Sequence, residues 1–251
     1  MAGTRIITFQ MNQERFEPFK DARVRKAIDY AVNSAGIVER IMRGFGTVGA
    51  QASPAGYLGH DPALTPRFDV EMAKSLMAEA GYADGFEITM MAPNNRYVND
   101  DKIAQAVASM LSQINIKVDL QTMPKAQYWP KFDERAADMM MIGWHADTED
   151  SANFHQFLSA CPDEATGNGQ YNSGNYCNPD ADALMNAANA EIDPAKRGEM
   201  LKELEGILYA DAAFIPLHWQ NLAWGARKGV DAAPIVNSLN FPYFGDLVVS
   251  E

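Results

Sequence analysis

Cysteine and histidine are scarce in this chain: two of the first and four of the second in 251 residues. Zinc sites built on Cys-x-x-C pairs are therefore excluded, and nothing matches a His-Glu-x-x-His metalloprotease helix. A Gly-x-Ser-x-Gly nucleophile elbow and a Walker lysine loop are absent too, so any catalysis would have to rest on scattered residues. No apolar run reaches the ~18 residues of a membrane-crossing helix. Clustered basic residues are also missing. With 21 Lys and Arg against 33 Asp and Glu the formal charge is −12, which removes the electrostatic basis for nucleic-acid binding. What remains is a chain with 47% hydrophobic and 22% charged residues, values of a folded globular body of one large or two small domains.

The chain opens almost directly on a strand, with Ile7, Phe9 and Met11 alternating on one face. No charged n-region, apolar h-region or cleavage site precedes it, and this start suits a piece of a longer chain or, alternatively, a cytosolic protein whose first strand begins early. Pro18 to Asp21 then begin a helix carrying Val24, Ala27, Ile28 and Ala31. Ser34 is placed to cap a second helix that Gly44 ends, and Asp69 a third that Gly81 ends. Phe86 to Met91 reads as a strand, Asp100 to Ile114 as a helix and Ile116 to Leu120 as a strand, which is a β-α-β unit. A Pro-interrupted segment around Tyr128, Trp129 and Pro130 leads to a further strand from Asp138 to Trp144. Asn178-Pro179 and Asp193-Pro194 are both helix starts, a capping side chain followed by Pro at the first helical position. Phe214 to Trp219 is expected at a sheet edge because Pro216 cannot donate to a central ladder. The class is α/β, with a mostly parallel or mixed sheet flanked by helices.

Gly44, Gly46 and Gly49 spell Gly-x-Gly-x-x-Gly, but a helical segment precedes them and Pro54 follows, so they read as helix stop and loop and not as a dinucleotide site. His145, Asp147, Glu149, Asp150 and His155 crowd one stretch. That composition suits a metal or a scattered hydrolase site around His145 and Asp150, and it equally suits an acidic solvated loop. Cys161 and Cys177 flank a polar, Gly-rich stretch; a bridge in an oxidising compartment and two reduced thiols both remain open. More telling is the position of two charges. Arg96 follows the Phe86 strand and Asp147 follows the Asp138 strand. Ligands of open α/β sheets bind beyond the carboxyl ends of the strands. If these strands are parallel neighbours, both charges share one rim, with Tyr97, Trp144 and Tyr128 or Trp129 as aromatic walls. Such a rim suits a small zwitterion.

Several segments carry a family resemblance when taken in order. They are Pro18-Phe19-Lys20-Asp21-Ala22-Arg23-Val24-Arg25-Lys26-Ala27, Ala73-Lys74 through Gly81-Tyr82, Arg96-Tyr97-Val98-Asn99-Asp100, Ile114 through Val118, Asp138-Met139 through Gly143-Trp144, and Tyr171-Asn172 through Asn178-Pro179. The series resembles solute-binding family 5, the binding proteins of ABC importers for dipeptides, oligopeptides and nickel. The resemblance implies a periplasmic-binding-protein-like fold of type II, of which residues 1–251 are a single C-terminal lobe, the N-terminal lobe and leader having no counterpart here. It implies that Asp147, in Gly143-Trp144-His145-Ala146-Asp147, holds a peptide ammonium and Arg96 a peptide carboxylate, with Trp144, Tyr97, His145 and Tyr128 around them. It further implies a Cys161–Cys177 disulfide, an extracytoplasmic location, permease subunits as partners, and closure of two lobes on a ligand with no enzymatic step, cofactor or metal. Within the family the cargo could instead be a nickel chelate, an oligosaccharide or a glutathione-like molecule. A Phe241-Pro242-Tyr243-Phe244 patch is expected to face the missing lobe.

Overall fold

A computed structural model describes residues 5–145, 148–221, 223–235 and 242–249. Its frame is a six-stranded sheet made of β1 (Arg5–Met11), β2 (Gly46–Val48), β3 (Phe86–Pro93), β4 (Ile116–Met123), β5 (Met139–His145) and β6 (Ile215–Gln220), in the order β2-β6-β1-β5-β3-β4. β3 pairs in parallel with β4 and with β5, whereas β1 runs antiparallel to β5 and β6, and β2 antiparallel to β6. The sheet is thus mixed and not mostly parallel.

The parallel part follows from two crossovers. From β3 the chain passes through α4 (Asp100–Leu111) to β4 on one side, then through α5 (Lys125–Asp133) to β5 on the other side of β3. Moving in opposite directions along a sheet with right-handed connections requires helices on opposite faces. The cores comply. Ile103, Val107 and Leu111 of α4 join Ile88, Met90, Met139 and Met141 on one face, with α1 (Ala22–Ala31) and α3 (Val70–Glu79). Tyr128 and Phe132 of α5 join Ile6, Met140 and Ile142 on the other. There they meet α6 (Ala152–Leu158), α7 (Pro179–Ala190) and α8 (Pro194–Asp211).

Local signals explain most helix ends. Asp69 accepts from the Met72 amide, Asn178 from Asp180 and Ala181, and Asp193 from Ala195 and Lys196. The second helix is capped one residue earlier than expected, by Asn33 accepting from Gly36; α2 (Ser34–Gly36) then widens into a π-helical turn over Ile37–Ile41. Gly44 follows at φ 80°, and Gly46 opens edge strand β2, so these glycines serve a helix stop and a strand. β6 is not an edge strand. β2 covers only its last three residues, and Pro216 sits opposite Thr8 beside a register shift in the β1 ladder, where a missing donor is tolerated.

The alternation in β1 predicts one wet face, yet Thr8 and Gln10 are buried as well. Gln10 donates to the Leu158 carbonyl at 3.0 Å and accepts from the Ser173 amide and hydroxyl at 2.8 and 2.6 Å. Those partners flank and occupy the loop closed by the Cys161–Cys177 disulfide. Closing a loop of this length is worth about 3 kcal/mol by chain entropy. Beyond β6 the described residues form a two-stranded ladder, β7 (Val230–Asp231) with β8 (Val248–Val249). Tyr243 and Phe244 are exposed, while Phe241 lies outside the described residues. Among the described residues, no helix is long and apolar enough to cross a membrane.

Candidate ligand-binding site

Because β3 and β5 are parallel neighbours, their carboxyl ends share one rim, and a cavity of about 620 Å³ opens there. The loop after β3 is folded back by Asp100. This buried carboxylate accepts from the Arg96 and Tyr97 amides at 2.8 and 2.9 Å. Asn99, in the left-handed conformation before α4, donates from its amide to the Ile41 carbonyl and holds the turn from outside. These contacts set Arg96 half-buried on the cavity wall with its guanidinium carbon 5.0 Å from the centre of the Tyr97 ring.

The Tyr97 hydroxyl accepts from the Gly143 amide of β5 at 2.8 Å. Burial raises its pKa. Position 143 is tight, since a Cβ there would stand 2.6 Å from Ile7 Cδ1 and 2.8 Å from Tyr97 Cε1, so a larger residue would have to push the Tyr97 ring aside. Next along β5, the Trp144 indole donates to Asn153 Oδ1 at 2.7 Å and packs on Phe157 and Tyr171, ring centres 5.4 and 5.3 Å away. Tyr171 belongs to the disulfide-closed loop, so the bridge steadies one wall of the cavity. Trp129 supplies the facing aromatic surface.

Of the residues expected here, Arg96, Tyr97, Trp144 and His145 are brought together around the cavity. Tyr128 is not among them. It is fully buried beneath the site and donates to the Met141 carbonyl at 2.6 Å, because the turn of α5 that presents Trp129 outward points its neighbour into the core. Asp147 lies outside the described residues. Among those described, Asp133 at the end of α5 supplies a carboxylate to the cavity. Two other members of the acidic stretch go elsewhere. Asp150 is gripped by Arg197 at 2.8 Å, and His155 is buried with Nε2 3.3 Å from Glu205, which binds the Ala52 and Ser53 amides. No group of three or more His, Cys, Asp or Glu side chains among the described residues is placed to hold a metal.

Sequence reasoning missed Arg5. It opens β1, and the antiparallel register sets it opposite His145, so the first residue of one strand meets the last of another at the same rim. Burial and the nearby Arg96 guanidinium lower its pKa. Its only visible signal is a charge beginning an otherwise uncharged strand.

Residues 1–166 match bacterial extracellular solute-binding proteins, family 5 Middle. The chain belongs to this family. It is 30% identical over 220 residues to a di/tripeptide-binding protein 1 of Pseudomonas aeruginosa, covering 85% of this chain and 40% of the relative. It is 29% identical over 236 residues to the dipeptide-binding protein of Escherichia coli, covering 92% and 43%. The periplasmic binding protein DppA of Helicobacter pylori, solved with peptide STSA, superposes with a TM-score of 0.84 at 22% identity, over all of this chain and 48% of that one. The family 5 chain described here therefore spans less than half the length of these relatives, and its sheet and helices are those of a periplasmic binding protein.

Proposed function

We propose that this chain is the C-terminal lobe of an extracytoplasmic receptor that binds short peptides and delivers them to the permease of an ABC importer, without catalysing a reaction. The observation that carries the reading is the rim cavity, where Arg96 stands among Tyr97, Trp129 and Trp144 at the carboxyl ends of two parallel strands. A guanidinium fork suits a peptide carboxylate, and aromatic walls cover side chains of varied shape. Asp147 or Asp133 would hold the ammonium. The names of the relatives support a peptide cargo, and the fraction of their length that the chain matches supports a second lobe closing over the cavity. Closure buries the ligand and strengthens each charged contact. The Cys161–Cys177 bridge fits an oxidising, extracytoplasmic compartment.

The test is titration calorimetry of the full-length protein with dipeptides. Arg96→Ala should weaken binding about 10–100-fold, the share of one charge-assisted contact, and Asp147→Ala and Asp133→Ala identify the ammonium anchor by which of them does the same. Dipeptide affinity unchanged in all three would overturn the reading. One relative at 28% identity is a heme-binding protein A of Haemophilus influenzae, so a non-peptide cargo is the second reading, favoured if no dipeptide binds.

A further inference from the structure

Among the described residues the cavity carries two guanidiniums, Arg5 and Arg96, against one carboxylate, Asp133, in a chain whose formal charge is −12. Arg5 and Arg96 both line it, half-buried, and within the described residues neither guanidinium has a carboxylate partner or a hydrogen bond. Asp133 reaches the same cavity without pairing with either. Two like charges brought together in a partly desolvated site cost free energy unless an anion joins them. A single peptide carboxylate occupies one guanidinium fork and leaves the second without a partner. From this juxtaposition we propose that Arg5 is a specificity-determining residue, and that the site selects ligands carrying two carboxylates, in the peptide class a short peptide with an acidic side chain. Arg96 takes one carboxylate and Arg5 the other. The backbone register enforces the division, because β1 holds Arg5 opposite His145 while the Asp100-anchored loop holds Arg96 on the β3 side.

The inference rests on the peptide-binding reading for its ligand class, and three probes separate the two: Ala-Glu, its neutral isostere Ala-Gln, and free glutarate, a dicarboxylate without an ammonium. Calorimetry on the full-length protein should show Ala-Glu binding about 10–100-fold more tightly than Ala-Gln. Arg5→Gln should abolish that preference by weakening Ala-Glu far more than Ala-Gln, and Arg96→Gln should weaken both peptides. Arg5→Lys, which keeps the charge but not the fork, should fall between. Equal binding of the two peptides by the unaltered protein overturns the role of Arg5, a result that needs no variant to fold. A preference that survives Arg5→Gln overturns it as well. If neither peptide binds but glutarate does, and Arg5→Gln abolishes it, the role of Arg5 stands and the peptide reading falls; silence from all three probes overturns both.

Discussion

Two pairs of arginines in this protein occupy opposite situations. Beneath α1 and α8, Arg67 bonds Asp29 at 2.6 Å and the Tyr209 carbonyl at 2.8 Å, with its guanidinium carbon 3.6 Å from the centre of the Tyr209 ring. Arg25, close by, spends its donors on the carbonyls of Phe19, Lys20 and Asp211. At the sheet rim, Arg5 and Arg96 line a cavity and find no such partners among the described residues. A guanidinium surrounded by acceptors from its own chain is a structural tie. One held in place by its backbone, with its fork left open, is available to an acceptor from outside the chain.

The contrast can be broken most forcefully at Arg67. Arg67→Met should cost about 3–5 kcal/mol, read from urea unfolding, because it strands a buried carboxylate. Burial already pushes Asp29 up to about 6 despite Arg67 beside it. Its protonated form is favoured in the folded state, so the loss should be larger at pH 8 than at pH 5, where Asp29 can go neutral. A loss below 1 kcal/mol would put Arg67 in the same class as the rim arginines.

A buried group with no hydrogen-bond partner among the described residues makes a sharper intermediate case. His218 in β6 is fully buried, with neither ring nitrogen hydrogen-bonded, and burial lowers it to about 4. The unfolded chain, titrating near the ordinary 6.5, binds the proton more tightly. Stability from this residue is therefore complete above pH 6.5 and falls as pH drops toward 4, by up to about 3 kcal/mol. His218→Leu should match the parent at pH 7 and exceed it at pH 4.5. Parallel pH profiles for the two proteins would show that His218 has a partner after all.

The smallest effect is expected at the rim itself. Arg5→Gln and Arg96→Gln should each shift unfolding free energy by less than about 1 kcal/mol in the absence of ligand, since neither loses a hydrogen bond or ion pair and Arg96 loses only its contact with the Tyr97 ring. A loss comparable to that at Arg67 would erase the distinction between the two pairs.

Much of this was legible in the residues. Capping side chains at Asp69, Asn178 and Asp193 act within three residues of themselves, so helix starts could be read directly. Arg96, Tyr97 and Trp144 were legible because they immediately follow or end apolar strands, where α/β sheets expose their ligands. Between the alternatives Tyr128 and Trp129 the residues could not choose: adjacent positions on a helix point about 100° apart, and only packing decides that Trp129 reaches the cavity while Tyr128 faces inward. The burial of Gln10 was not legible because its partners lie about 150 and 160 positions away. Arg5 escaped because a strand's own pattern carries no information on which strand lies beside it or in what direction.

By itself, then, the sequence determined the elements, the α/β class, the family and the charged loop after β3, all properties of neighbouring residues or of ordered motifs. Only the tertiary structure decided that β1 enters the sheet antiparallel beside β5, that β6 lies between β1 and β2 with Pro216 beyond the reach of β2, and that two arginines more than ninety residues apart share one cavity. Those outcomes depend on strand order and register. Strand order and register are set by how both faces of the sheet bury their apolar surface at once, a condition on the whole chain that no local stretch of it contains.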